Sequence, residues 1–198
     1  RPGKLYVLAS HFHPDHFNKE VLQWREQRPD IIYIFSKDIL RHRRAQKEDA
    51  VWLKKGEEYK DETLSVRAFG STDVGVSFLL QTGGKKIFHA GDLNNWHWMD
   101  ESTEAEWKGA EKNFLHELDD LYAYTPEVDV AMFPVDPRLG KEYMRGAGQF
   151  VTKIKTHIFV PMHFTPEYAK ANAFRDFAEA HGVRFVSLTH RGQKIEIE

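Results

Sequence analysis

The sequence predicts an α/β fold in one domain spanning 1–198. Three observations carry that prediction. Short apolar runs alternate along the chain with longer segments of helical period. Three of those runs, Ile31 to Phe35, Val128 to Phe133 and His157 to Val160, are nearly continuous, as strands buried under helices read, and are expected in one helix-covered sheet. The apolar share of 41% and the aromatic share of 13% are those of a globular chain long enough to bury a real core.

Taken in order, Leu5 to Ala9 is the first strand, and Asn18 has the side chain to cap a helix through about Gln27. Ile31 to Phe35 follows as a buried strand and Lys37 to Gln46 as a short basic helix, whose Arg41-His42-Arg43-Arg44 run reads as a solvated face. Leu64 to Phe69, Val74 to Thr82 and Lys85 to His89 are strand-like, with Gly83-Gly84 closing a tight hairpin between the last two. A long helix from about Thr103 to Tyr124 precedes the strand Val128 to Phe133, and a helix from about Lys141 to Lys155 precedes His157 to Val160. Thr165 and Pro166 then open a helix to Gly182, and Val183 to Ser187 and Lys194 to Ile197 close the chain as strands.

Composition narrows the chemistry. A formal net charge of −2 argues against a generally basic nucleic-acid surface, so no nucleic-acid partner is expected and the partner is a small molecule. With no cysteine, any metal must be held by histidine and carboxylate, which points to zinc, manganese or iron. No run of about 18 apolar residues and no signal-like segment occurs, so no membrane partner is expected and the chain reads as cytoplasmic.

Function concentrates in His11-Phe12-His13-Pro14-Asp15-His16, directly after the first strand. Alternate residues of an extended chain project to one side, so His11 and His13 suit one cation while the following turn swings Asp15 and His16 toward a second. Phe88-His89-Ala90-Gly91-Asp92 ends a strand in a small-residue turn and a carboxylate that suits bridging two cations. His163, in Pro161-Met162-His163, is a further ligand candidate at a strand-to-helix junction. His89 is either a partner that fixes Asp92 or a core histidine, and Trp96 and Trp98 either wall a pocket or pack against the following helix. Arg138, in another strand-end loop, either clamps a substrate phosphate or carboxylate or pairs with Asp136.

Together the H-x-H-x-D-H run, the H-A-G-D segment and the later P-x-H resemble the metallo-β-lactamase superfamily over nearly the whole chain, and most closely its branch with L-ascorbate 6-phosphate lactonase. The resemblance implies a four-layer αββα sandwich with two mixed sheets inside. It assigns His11 and His13 to a first metal, Asp15, His16 and His163 to a second, and Asp92 to both. Two departures stand out. Family strands usually precede the H-x-H-x-D-H strand, whereas ten residues precede His11 here, so the first sheet is expected to lack part of its edge. The family also supplies another first-metal histidine where this chain reads Gly70-Ser71-Thr72-Asp73-Val74-Gly75; Asp73 is the substitute, or else a plain turn carboxylate.

The reaction expected from such a site is hydrolysis. Two cations about 3.5 to 4 Å apart share a water, lower its pKa toward neutrality and present hydroxide to a small ester, lactone or phosphoester. Asp92 holds both ions, and Asp15 orients the hydroxide or takes up a proton, so these two are the catalytic candidates. The alternatives are a superfamily nuclease acting on RNA, for which the chain offers one basic run, and a non-catalytic metal or ligand sensor with an empty first site.

Overall fold

The computed structural model describes residues 3–196 and places the strands in two sheets. Tyr6–Ala9 (β1), Ile32–Ser36 (β2) and Val51–Leu53 (β3) form a three-stranded sheet in the order β1-β2-β3, all parallel, with Tyr6 opposite Ile32 and Ile34 opposite Val51. Parallel neighbours need crossovers. Lys19–Glu26, in 3-10 form, and the helix Lys37–Arg41 (α1) provide them. The larger sheet joins Glu58–Lys60 (β4), Ser65–Phe69 (β5), Ser77–Thr82 (β6), Lys85–His89 (β7), Glu127–Pro134 (β8), Lys155–Met162 (β9) and Arg184–Phe185 (β10). Its order is β10-β9-β8-β7-β6-β5-β4, antiparallel from β4 to β7 and parallel from β7 to β10.

Strand alternation sorts the apolar side chains into layers. Tyr6, Leu8, Ile32 and Ile34 turn inward to meet Val66, Ala68, Phe78 and Leu80 of the large sheet. Val7, Ala9, Tyr33 and Phe35 turn outward to pack with Phe17, Val21, Leu22 and Ile39. On the far side, Phe88, Ala131, Phe133 and Phe159 lie under Phe114, Leu118 and Leu121 of Glu104–Tyr124 (α2), Phe150 of Arg145–Lys153 (α3) and Ala178 of Arg175–Ala180 (α5). Each fully buried ring there contributes about 1.5–3 kcal/mol of transfer free energy. The result is helix, sheet, sheet, helix, with ligand-type residues at the carboxyl ends of β1, β7 and β9.

Several elements depart from expectation. The nearly continuous apolar run at 31–35 belongs to the small sheet, whereas 128–133 and 157–160 share the large one; apolarity records burial on two faces but not which sheet supplies it. The small sheet is parallel, not mixed. The helix expected at 37–46 stops at Arg41 because Arg43 turns left-handed, φ 55°, an ending that glycine usually marks. The segment 18–27 is 3-10 with no fully buried residue, although Asn18 caps it by accepting from the Glu20 N–H at 2.9 Å. The helix expected from Pro166 to Gly182 is two short ones, Tyr168–Asn172 (α4) and α5, and the Asn172 side chain bonds both the N–H and the C=O of Leu188 beside the break. β3 and β4, three residues each, are too short to show a period. The last expected strand is not formed over 194–196, and Ile197 lies outside the described residues.

Candidate metal centre

The strand-end placement of the ligand-type residues brings two groups face to face. His11, His13, Asp73 and Asp92 offer ligand atoms within 4.8 Å of one another, and Asp15, His16 and His163 do the same. Asp92 lies between them. Its Oδ2 is 3.3 Å from His11 Nε2, while its Oδ1 is 3.2 Å from His16 Nε2 and 3.4 Å from His163 Nε2. His11 Nε2 and Asp92 Oδ1 are buried and have no hydrogen-bond partner among the described residues. Buried polar atoms are almost always paired, so an orphaned nitrogen in the first group and an orphaned carboxylate oxygen facing the second fit a cation on each side of Asp92. The donor set, imidazole and carboxylate without sulfur, suits zinc, manganese or iron.

Ser10 organises the first strand end. Its Oγ lies 3.0 Å from His11 Nδ1 and 3.3 Å from His16 Nδ1, so one hydroxyl oxygen can accept from both rings and leave both Nε2 atoms facing Asp92. The backbone around it must come close. A Cβ on Gly75 (φ 77°) would sit 2.1 Å from Ser10 O, and one on Gly91 (φ 54°) would sit 2.8 Å from Ser10 Cβ, so both neighbouring turns need glycine. The Gly75 turn carries Asp73, whose half-exposed side chain (44%) reaches within 3.7 Å of His13 Nδ1.

The second group rests on a residue that the sequence presents only as a partner of Arg138. Asp136 is fully buried just beyond β8, and its Oδ2 accepts from His163 Nδ1 at 3.0 Å, which leaves His163 Nε2 turned to Asp92. The same carboxylate takes Nε and Nη2 of Arg138, at 3.0 and 2.6 Å. Its only sequence signal is the position after an apolar strand, in Pro134-Val135-Asp136-Pro137. Arg138 thus pairs with Asp136, yet its side chain stays 54% exposed and lines the cleft. Asp15 is 71% exposed at the edge of the second group, 3.5 Å from His16 Nε2. His89 does not bond Asp92; it accepts the Gly91 N–H at 3.1 Å and holds the turn instead.

Electrostatics follow the geometry. Burial raises the Asp92 carboxyl, but the imidazoles of His11, His16 and His163 outweigh it and hold the group below its usual value. Burial depresses His16, with His11 and His163 adding to the effect against Asp92 and Asp15. For His163 burial also pulls downward, but the hydrogen bond to Asp136 and the charge of Asp92 overcome it and raise the ring above its ordinary value. Asp136, despite burial that raises it, is held at about 2 by His163 and Arg138.

The centre opens into a cleft of about 350 Å³ lined by Asp15, Asp73, Asp92, Trp96, Trp98 and Arg138 among others. No described helix is long and apolar enough to cross a membrane.

Residues 3–164 match the family model of the β-lactamase superfamily domain. No curated protein matches the sequence. Among solved structures, the chain is similar to Igni18, a metallo hydrolase from the archaeon Ignicoccus hospitalis, with a TM-score of 0.63 at 18% identity over 93% of this chain and 76% of that one. It is similar to CmlA, a diiron β-hydroxylase from Streptomyces venezuelae, with a TM-score of 0.60 at 15% identity over 92% of this chain and 43% of that one. It is also similar to Zn(2+)-bound PqqB from Methylobacterium extorquens, with a TM-score of 0.54 at 16% identity over 92% of this chain and 70% of that one.

Proposed function

Because the chain belongs to the β-lactamase superfamily, we propose that it is a metal-dependent hydrolase of a small ester, lactone or phosphoester. Its centre is built from His11, His13, Asp15, His16, Asp73, Asp92 and His163. The observation that carries this reading is the division of one buried carboxylate, with Asp92 Oδ2 toward His11 and Oδ1 toward His16 and His163. A residue so placed would hold a cation on each side. Zinc is the first candidate, with manganese or iron favoured to the extent that Asp73 hardens the first group. Divalent cations in such a set supply Lewis acidity and bring the pKa of water toward neutrality.

The chain's own residues do the rest. Ser10 and Asp136 fix the imidazoles of His11, His16 and His163, so little reorganisation remains when metal and substrate arrive. Asp15, exposed at the mouth, takes up and releases the proton of the attacking water. Arg138, held flat by Asp136 through Nε and Nη2, offers its remaining Nη1 to an anionic substrate group. A phosphate-bearing lactone, as in the L-ascorbate 6-phosphate lactonase branch, is the narrowest form of this reading.

Elemental analysis of protein purified without added metal, run beside a screen of esters, lactones and phosphoesters, tests it. About two equivalents of transition metal and turnover of one substrate class are expected. Fully metal-loaded protein inert toward all three classes would overturn the hydrolase reading.

A further inference from the structure

The loop after Asp92 is built as a platform. Leu93, Asn94, Asn95 and His97 are buried. Thr72 Oγ1 donates to the Asn94 carbonyl at 2.5 Å and accepts the Asn94 N–H at 3.0 Å, and Asn95 Nδ2 bonds Gln149 at 2.9 Å. His97 lies 3.1 Å from the Glu142 carbonyl through Nε2 and accepts the Met99 N–H through Nδ1. With His97 turned into the protein, the residues on either side of it, Trp96 and Trp98, both line the cleft beside Asp92 and His163.

The two indoles are nearly parallel, 6.3 Å apart with 15° between their planes. Trp96 is fixed by its Nε1–H, which donates to the Asp92 carbonyl at 2.8 Å, and it meets the His163 ring edge to face at 5.5 Å. Trp98 is held at φ 43°, a left-handed conformation that bulky side chains rarely adopt, while its carbonyl accepts the N–H groups of Glu101 and Ser102. Packing alone does not call for a strained aromatic at the rim of a cleft; strain of this kind collects at ligand sites. Arg138 stands on the same cleft, half exposed, with Nη1 outside its pair with Asp136.

We propose that Trp96, Trp98 and Arg138 form a substrate subsite that selects a flat ring carrying an anionic group, the ring lying on the indoles and the anion meeting Arg138. This deepens the hydrolase reading and rests on it only in calling the ligand a substrate. Stacking surfaces discriminate by ring and guanidinium by charge, so the two contributions separate.

Titration calorimetry on the metal-loaded protein with phenylphosphonate, methylphosphonate and benzyl alcohol separates them. Phenylphosphonate is expected to bind at least about tenfold tighter than methylphosphonate, the value of roughly one stacked ring. Trp98→Gly, which suits the positive φ and so spares the turn, should reduce that preference to within about twofold while leaving methylphosphonate affinity unchanged. Arg138→Gln should weaken both phosphonates equally and leave benzyl alcohol unaffected. Equal affinity for the two phosphonates in the wild type, or a ring preference that survives Trp98→Gly, would overturn the subsite. Neither phosphonate is hydrolysed, so ring-selective binding in a protein without turnover would count against the hydrolase reading alone, and turnover indifferent to a ring against the subsite alone.

Discussion

The two ligand groups that share Asp92 are built differently. In the second, His163 is clamped by the buried Asp136 and His16 by Ser10, and both imidazoles point their Nε2 atoms at the same carboxylate oxygen. In the first, His11 is just as firmly held, but His13 and Asp73 face each other across 3.7 Å with side chains 37% and 44% exposed. One group has its geometry set by partners behind each ring. The other is half scaffold and half surface. A cation should therefore enter the second group with both rings already aligned and only the exposed Asp15 to draw in, whereas the first must draw two solvated side chains together.

The most severe way to break this contrast is to remove the residue common to both groups. Asp92→Ala should lose both ions and all metal-dependent hydrolysis while the far-UV circular dichroism of the fold remains, because the core lies in the layers and not at the strand ends. Retention of one full equivalent of metal would show that the two groups bind independently of Asp92.

Next in size is Asp73→Ala, which touches only the exposed half of the first group. Metal stoichiometry should fall from about two to about one, with the remaining ion bound at wild-type affinity. Equal stoichiometry and affinity in both proteins would remove Asp73 from the centre and bring back the reading of a turn carboxylate.

Which of these residues the sequence discloses has a physical basis. His11, His13, Asp15 and His16 are legible because their types and spacing are contiguous on the chain, and Asp92 and His163 because each directly follows an apolar strand. Asp136 is hidden in its main role because the ring it orients lies 27 residues away, and Ser10 because its role depends on two ring orientations that only the folded turn defines. The alternation of strands and helices discloses the fold class in the same way. It cannot say which sheet an apolar run joins, and the left-handed residue that ends α1 is an arginine, Arg43, carrying no glycine signal.

Asp136→Asn probes the second group from behind. The loss of charge should weaken metal there by about 10–100-fold, the usual range for a carboxylate that orients a histidine ligand, and leave the first group nearly untouched. The pH dependence has a definite sign. Asp136 is among the groups that raise His163, so in the wild type protons compete with metal from a higher pH downward. A neutral amide in place of this carboxylate removes one of the groups that raise the ring, so the pH below which metal affinity begins to fall from its plateau should move to a lower value, while the plateau itself drops. Metal titrations across pH decide this, and an unchanged break in the profile would mean that Asp136 acts by shape alone.

The smallest effect is expected at Ser10, and it bears most directly on whether the two groups are coupled. The hydroxyl sits behind one ring of each, at 3.0 Å from His11 Nδ1 and 3.3 Å from His16 Nδ1. Removing it takes one acceptor from two ring N–H groups, while the Gly75 and Gly91 turns that approach Ser10 stay in place. Each lost neutral hydrogen bond is worth about 0.5–1.5 kcal/mol, so Ser10→Ala should weaken each ion by about two- to tenfold. What matters is that both weaken together. Ser10→Thr keeps the oxygen but adds a methyl group where a Cβ of Gly91 would already be too close, so it should restore ring alignment only if the turn yields. If Ser10→Ala weakens one ion and spares the other, the shared hydroxyl does not couple the groups, and the contrast between them reduces to Asp136 on one side and solvent on the other.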